Sequence, residues 1–167
     1  MPRSEIDELP ARVEGTRPIR VGEKVPAFAA PDERERERRV PDGPRPHVLV
    51  FYRGYWCPWC NGQLAALGRR FDDVRAIADT AVFGISVDPS ERGRALRDEL
   101  MLPFALLSDP AGAVVRRYGV WSDDERHSLP ATVVFDATGT VRYVHVGIDF
   151  TDRPDEAELL AALAGAA

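Results

Sequence analysis

Apolar residues along this chain gather into short uninterrupted runs, and stripes of helical period fill the intervals between them. Residues 48–52 (VLVFY) and 81–87 (AVFGISV) are rich in β-formers and do not alternate with polar residues, which predicts central strands covered on both faces. A shorter run at 104–107 predicts a third strand. Residues 131–136 and 141–146, joined by Ala137, Thr138, Gly139 and Thr140, carry a hairpin signal. Leu64, Leu67, Phe71, Val74 and Ile77 recur at helical spacing and predict one helix from the first cysteine to about residue 79. Asp88, Pro89 and Ser90 make a helix start before ERGRALRDELM, and Asp109 with Pro110 begins another helix reaching about residue 118. From Pro154 the chain ends in an amphipathic helix carrying Leu159, Leu160 and Leu163. Three strand–helix units, a hairpin and a last helix predict an α/β fold, a central mixed sheet with helices on both faces.

The remaining segments change this picture little. Residues 1–20 are polar and interrupted by Pro2, Pro10 and Pro18, which predicts an N-terminal arm ahead of one domain over 21–167. Residues 32–46, DERERERRVPDGPRP, alternate charge and then break at Pro and Gly, as in a charged edge hairpin or a solvated loop. Residues 121–127, WSDDERH, read as a polar connection. A net charge of -5 over 167 residues gives no basic footprint for nucleic acid or an anionic membrane. No apolar run approaches the roughly 20 residues that span a bilayer, and the N-terminus lacks a secretory core. The expectation is a cytoplasmic protein with neither nucleic acid nor membrane as partner.

Compartment gives weight to the two cysteines. Cys57 and Cys60 are the only ones, three apart at the predicted start of the helix. A rise of about 4.5 Å puts them on one helix face within disulfide reach. Unpaired N–H groups and the positive end of the helix dipole favour thiolate there. In a reducing compartment such a pair points to catalysis, redox sensing or metal binding. As zinc ligands the two would be half a tetrahedral site, with His47, His127 and His145 scattered elsewhere, and copper delivery would need two thiolates and a distant His. Arg53, just upstream of the turn, is the candidate cation for the thiolate, with Arg126 a weaker one. Tyr52, Tyr55, Trp56 and Trp59 either shape the mouth of the site or belong to the core, and Gln63 is given no catalytic role.

These residues resemble a known group. VGEKVPAF, VLVFYRGYWCPWC, GISVDPS with LPFALLSDPAGAVVRRYGV, and LPATVVFDATGTVRYVHVG are similar to the entry segment, active-site loop, middle segment and closing hairpin of peroxiredoxin-like proteins. These are the alkyl hydroperoxide reductase and thiol-specific antioxidant family of the thioredoxin-fold superfamily. The resemblance implies a thioredoxin-like three-layer sandwich and a thiol-dependent oxidoreductase without a cofactor. Two positions depart from the family pattern: Cys57 stands where the family has Thr, with Cys60 at the peroxidatic position, and Pro130 stands where it has an Arg. Pro130 resembles instead the cis-proline that thioredoxins set against their dithiol.

Two mechanisms follow from the resemblance. In one, Cys57 attacks a substrate disulfide and Cys60 resolves it, with Trp56 and Pro58 matching the thioredoxin motif. In the other, Cys60 attacks a peroxide and Cys57 condenses with the sulfenic acid. Trp56, Pro58, Trp59 and Pro130 are the expected substrate contacts. Either cycle implies an external reductant, a thioredoxin, a glutaredoxin or a small thiol, and such folds commonly form homodimers.

Overall fold

The computed structural model describes residues 17–167. Of the expected arm, residues 1–16 lie outside the described residues. Ile19 is already core, buried with its N–H donating to the Tyr118 carbonyl at 3.1 Å.

The central sheet has five strands in the order β5 (Ala105–Ser108), β4 (Ala81–Ser86), β3 (His47–Phe51), β8 (Ala131–Phe135) and β9 (Val141–Val146). β3 is parallel to β4, and β4 to β5, because helices cross between them; β8 and β9 return antiparallel as a hairpin. β3, β4, β5 and β8 are buried at every position, as their unbroken apolar runs require. Along β3, Leu49 and Phe51 face one core with Phe83, Ile85 and Val133, while Val48, Val50 and Tyr52 face the other with Leu64, Val134 and Leu163. The helices α1 (Pro58–Arg69), α2 (Phe71–Ile77), α3 (Ser90–Leu100) and α5 (Glu156–Ala166) bury their apolar stripes in the second core. The first is closed by α4 (Ala113–Arg117) and by a hairpin of β1 (Phe28–Pro31) and β2 (Glu37–Val40). This is the three-layer thioredoxin-like sandwich. A small ribbon, β6 (Trp121–Ser122) with β7 (His127–Ser128), precedes β8.

Several local expectations are corrected. The single long helix after the cysteines is two, because the chain leaves helical geometry at Arg70 (φ -99°, ψ 10°). The polar connection at 121–127 contains the β6–β7 ribbon. The charged run at 32–46 is a hairpin whose turn is anchored by burial rather than solvated throughout. Asp32 is buried, accepts the Arg34 and Arg36 N–H groups at 2.9 and 3.0 Å, and pairs with the Arg38 guanidinium. Glu33, also buried, accepts the Leu106 N–H at 3.1 Å and pairs with Arg97.

One glycine shapes the floor of the site. A Cβ at Gly84, in the middle of β4, would lie 2.6 Å from Leu106 Cδ2 and 3.3 Å from Tyr52 Cε1. The strand is bare there so that the buried Tyr52 ring can lie across it.

Candidate active site

The loop between β3 and α1 is held from three sides. Tyr52 N–H donates to the Ile85 carbonyl at 3.0 Å, extending the sheet past its last paired residue. Tyr55 N–H donates to the Asp88 carboxylate at 2.8 Å, and Cys57 N–H to the Gly54 carbonyl at 3.2 Å. A Cβ on Gly54 would lie 2.4 Å from Trp56 Nε1, so the indole folds back over a position that carries no side chain. Pro58 is the first residue of α1, and Cys57 is its N-cap: the Cys57 sulfur accepts the Cys60 N–H at 3.3 Å.

Both cysteines are free and fully buried. Arg53 contributes twice: its N–H points to Cys60 Sγ at 3.4 Å and its Nη1 to Cys57 Sγ at 3.9 Å. Its guanidinium lies over the rings of Trp56 and Phe150, 5.0 and 5.4 Å from their centroids. It also meets the Glu125 carboxylate at 3.4 Å, and Glu125 in turn meets His127 Nε2 at 3.2 Å. Burial alone would raise the Cys57 thiol. The Cys60 thiol and N–H, together with Arg53 and Arg153, outweigh burial and hold Cys57 below the ordinary thiol range. Cys60 goes the other way, raised by burial and by donating to Cys57, against the pull of Arg153 and the Arg53 N–H. The pair is therefore asymmetric, and of the two Cys57 gives up its proton more readily.

The residue that the sequence did not single out is Arg153. It lies between β9 and α5, and its Nη2 is 3.0 Å from Cys60 Sγ and 3.9 Å from Cys57 Sγ. Its sole sequence signal was a position just before a helix start, 93 residues from Cys60, and nothing local ties that position to the dithiol.

The aromatic residues beside the dithiol and the expected substrate contacts divide. Tyr52 is core, whereas Tyr55, Trp56 and Trp59 are exposed at 38%, 48% and 52% and form the rim. Pro58 and Trp59 border a groove of about 280 Å³ with Gln63, Leu67, Arg153 and Leu159. Pro130 borders a second, of about 300 Å³, with Arg53, Glu125, Gly147, Ile148 and Phe150. The likeness of Pro130 to a cis-proline is corrected: the Leu129–Pro130 bond is trans, the cis bond among the described residues being Val40–Pro41. The Pro130 carbonyl already accepts the Gly147 N–H at 2.8 Å. Arg126 stands exposed in the ribbon turn at φ 59°. Among the described residues no three His, Cys, Asp or Glu side chains converge as a metal site, and His145 pairs with Asp152 at 2.9 Å. No helix among them is long and apolar enough to cross a membrane.

A reduced dithiol at a helix N-terminus, beneath two guanidinium groups on a thioredoxin-like sheet, defines a thiol-disulfide redox protein. The sequence pattern of the AhpC/TSA family matches residues 21–144, and the chain belongs to that family of thiol-dependent peroxidases. Peroxiredoxin Bcp of Escherichia coli (strain K12) is 29% identical over 136 residues, covering 76% of this chain and 85% of that protein. Chloroplastic peroxiredoxin Q of Sedum lineare is 36% identical over 103 residues, 60% of this chain and 54% of the relative. In fold, the chain resembles peroxidoxin BcpB of Mycobacterium tuberculosis (TM-score 0.75, 24% identity, 87% of this chain and 95% of that one). It also resembles the reduced 2-Cys peroxiredoxin of Plasmodium vivax (TM-score 0.78, 23% identity, 87% and 81%).

Proposed function

We propose that this protein reduces hydroperoxides with Cys57 as the attacking thiolate and Cys60 as the resolving thiol. The carrying observation is the asymmetry of the pair: Cys57, at the N-cap, is held below the ordinary thiol range while Cys60 is held above it. The Cys57 thiolate attacks one peroxide oxygen; the S–O bond forms, the O–O bond breaks, and the departing alkoxide or hydroxide takes a proton. Cys60 then loses its proton and attacks the Cys57 sulfur, forming S–S as the S–O bond breaks and water leaves. An external dithiol, of thioredoxin or glutaredoxin type, or a small thiol returns two electrons and two protons by exchange. The cytoplasm, which keeps such reductants available, suits this cycle.

A second order of events, Cys60 first, is favoured by its match to the family's peroxidatic position and by the guanidinium 3.0 Å from its sulfur. Reduction of substrate disulfides by the same pair is less well supported, since the Pro130 carbonyl that would receive a substrate strand is taken by Gly147. Separate Cys57→Ser and Cys60→Ser variants, treated with peroxide and a sulfenic-acid trap and read by mass spectrometry, decide among the three. An adduct on Cys57 of Cys60→Ser is expected. An adduct only on Cys60 of Cys57→Ser reverses the order, and no adduct in either, with fast reduction of a test disulfide by the parent, overturns the peroxide reading.

A further inference from the structure

The Arg153 side chain is fixed on every edge of its guanidinium. Nε donates to the Phe150 carbonyl at 3.1 Å, Nη1 to Gln63 Oε1 at 2.7 Å, and Nη2 to Cys60 Sγ at 3.0 Å. Gln63 is itself oriented, because its Nε2 donates to Thr132 Oγ1 at 3.0 Å, and Thr132 is buried in β8. That bond turns the oxygen end of the amide, and not the NH₂ end, toward Arg153. A rigid line thus runs from the central sheet through α1 to a cation on the dithiol.

The segment that delivers Arg153 is irregular but tied down. Gly147 N–H donates to the Pro130 carbonyl, His145 to Asp152, and the Asp152 carboxylate accepts the Ile148 N–H at 2.9 Å. Asp155 then caps α5 through the Glu158 N–H. Arg153 is half-buried between these anchors, its Nη2 within 3.0 Å of Cys60 Sγ.

We propose that Arg153 is a catalytic residue, the second cation of the dithiol site alongside Arg53, and that Gln63 and Thr132 are the positioning residues that aim it at the sulfurs. Arg53 approaches from the loop ahead of Cys57 and Arg153 from the opposite end of the chain, so the two sulfurs lie between two guanidinium groups. Among the described residues, the charged and titratable groups facing the sulfurs are these two arginines and the Tyr52 hydroxyl; Glu125 pairs with Arg53 on the side away from them and His127 pairs with Glu125. Gln63 holds the second cation through a neutral amide oxygen, which accepts from the guanidinium without bringing a counter-charge beside the sulfurs. A carboxylate in that place would hold the guanidinium but cancel part of its field.

This inference rests on the dithiol reading of the site, and its test is independent of any peroxide. The rate of iodoacetamide alkylation of the reduced protein is followed against pH for the parent, Arg153→Met, Arg153→Lys and Gln63→Glu. For Arg153→Met the midpoint of the profile is expected to move up by about one pH unit, with about tenfold slower alkylation near neutrality. Arg153→Lys should fall between that variant and the parent, since it keeps the charge but loses the fork. Gln63→Glu should also move the midpoint up while leaving the far-UV circular dichroism and melting of the parent, which a purely structural role for Gln63 does not produce. If Arg153→Met proves poorly folded, Gln63→Glu carries the test alone. A well-folded Arg153→Met with the parent's midpoint, or a Gln63→Glu midpoint that stays or falls, overturns the proposal. A parent that alkylates with these shifts yet consumes no peroxide refutes the proposed function and leaves the role of Arg153 standing.

Discussion

Replacing Arg53 by methionine removes one of the two cations and keeps an unbranched stem between Trp56 and Phe150. Its Nη1 lies 3.9 Å from Cys57 Sγ. Two opposite unit charges about 4 Å apart attract by about 4 kcal/mol at an effective dielectric of about 20. Glu125, half-exposed and 3.4 Å from the same guanidinium, offsets a large share of that field, and water at the rim screens more. A net loss of about 1–1.5 kcal/mol remains, which moves the alkylation midpoint of Cys57 up by about one pH unit and slows the reaction near neutrality about tenfold. Glu125→Gln should act in the opposite sense and more weakly, since a half-exposed ion pair contributes about 0.2–1 kcal/mol: the midpoint falls and alkylation quickens by about twofold to fivefold. The assay is the same pH series on reduced protein, with circular dichroism and melting as controls. An unmoved midpoint in a folded Arg53→Met, or a rise in Glu125→Gln, would refute the account of Arg53 as a charge shared between thiolate and carboxylate.

Two further predictions concern the frame. Asp136 accepts the Thr138 N–H and hydroxyl, the Thr140 N–H and the Arg142 guanidinium, and against the effect of burial these hold its carboxyl well below the usual range. A depressed carboxyl contributes stability that is present above its unfolded value of about 3.9 and is lost as pH falls through the folded one. Asp136→Asn should therefore cost about 1–2 kcal/mol in denaturant unfolding at pH 7, and the gap to the parent should narrow below about pH 4; an equal gap at pH 3 would count against the assignment. Gly84→Ala should cost about 1–3 kcal/mol by overpacking, read as a melting point lower by about 2–4 °C for each kcal/mol, because the added methyl meets Leu106 and Tyr52 in a filled core. Unchanged melting would show that those neighbours give way freely.

Buried strands were the most legible part of the chain, since β3, β4 and β8 are short runs, apolar at nearly every position, rich in β-branched and aromatic residues and bounded by turn residues. Helix ends were less so. The break at Arg70 leaves the apolar period intact on both sides, so the stripe through Leu67, Phe71 and Val74 reads as one helix although the backbone turns there. Asp32 and Glu33 looked like members of a solvated charge run, because a carboxylate that receives backbone N–H groups and guanidinium partners is locally indistinguishable from one that faces water. The rim was half legible: aromatic type placed Trp56 and Trp59 near the mouth, but only packing separated them from the buried Tyr52.

What the sequence determined by itself is the chemistry. A cysteine pair at helical spacing after a buried strand, with Pro58 at the first helical position, specifies a dithiol at a helix N-terminus through local geometry alone, and family likeness extends over most of the chain. What the tertiary structure decided is the field in which that dithiol works. Arg153 reaches Cys60 because β9 ends at the same end of the sheet as the carboxyl end of β3, one strand away across Ala131 of β8, and the connection to α5 brings Arg153 against Gln63 of α1, a closeness created by sheet order and invisible at a separation of 93 residues. Position 130, where the family pattern has its arginine, holds a proline whose carbonyl secures the start of that same connection at Gly147. Local spacing can bring two sulfurs together, but only long-range packing can bring a charge to them from the far end of the chain.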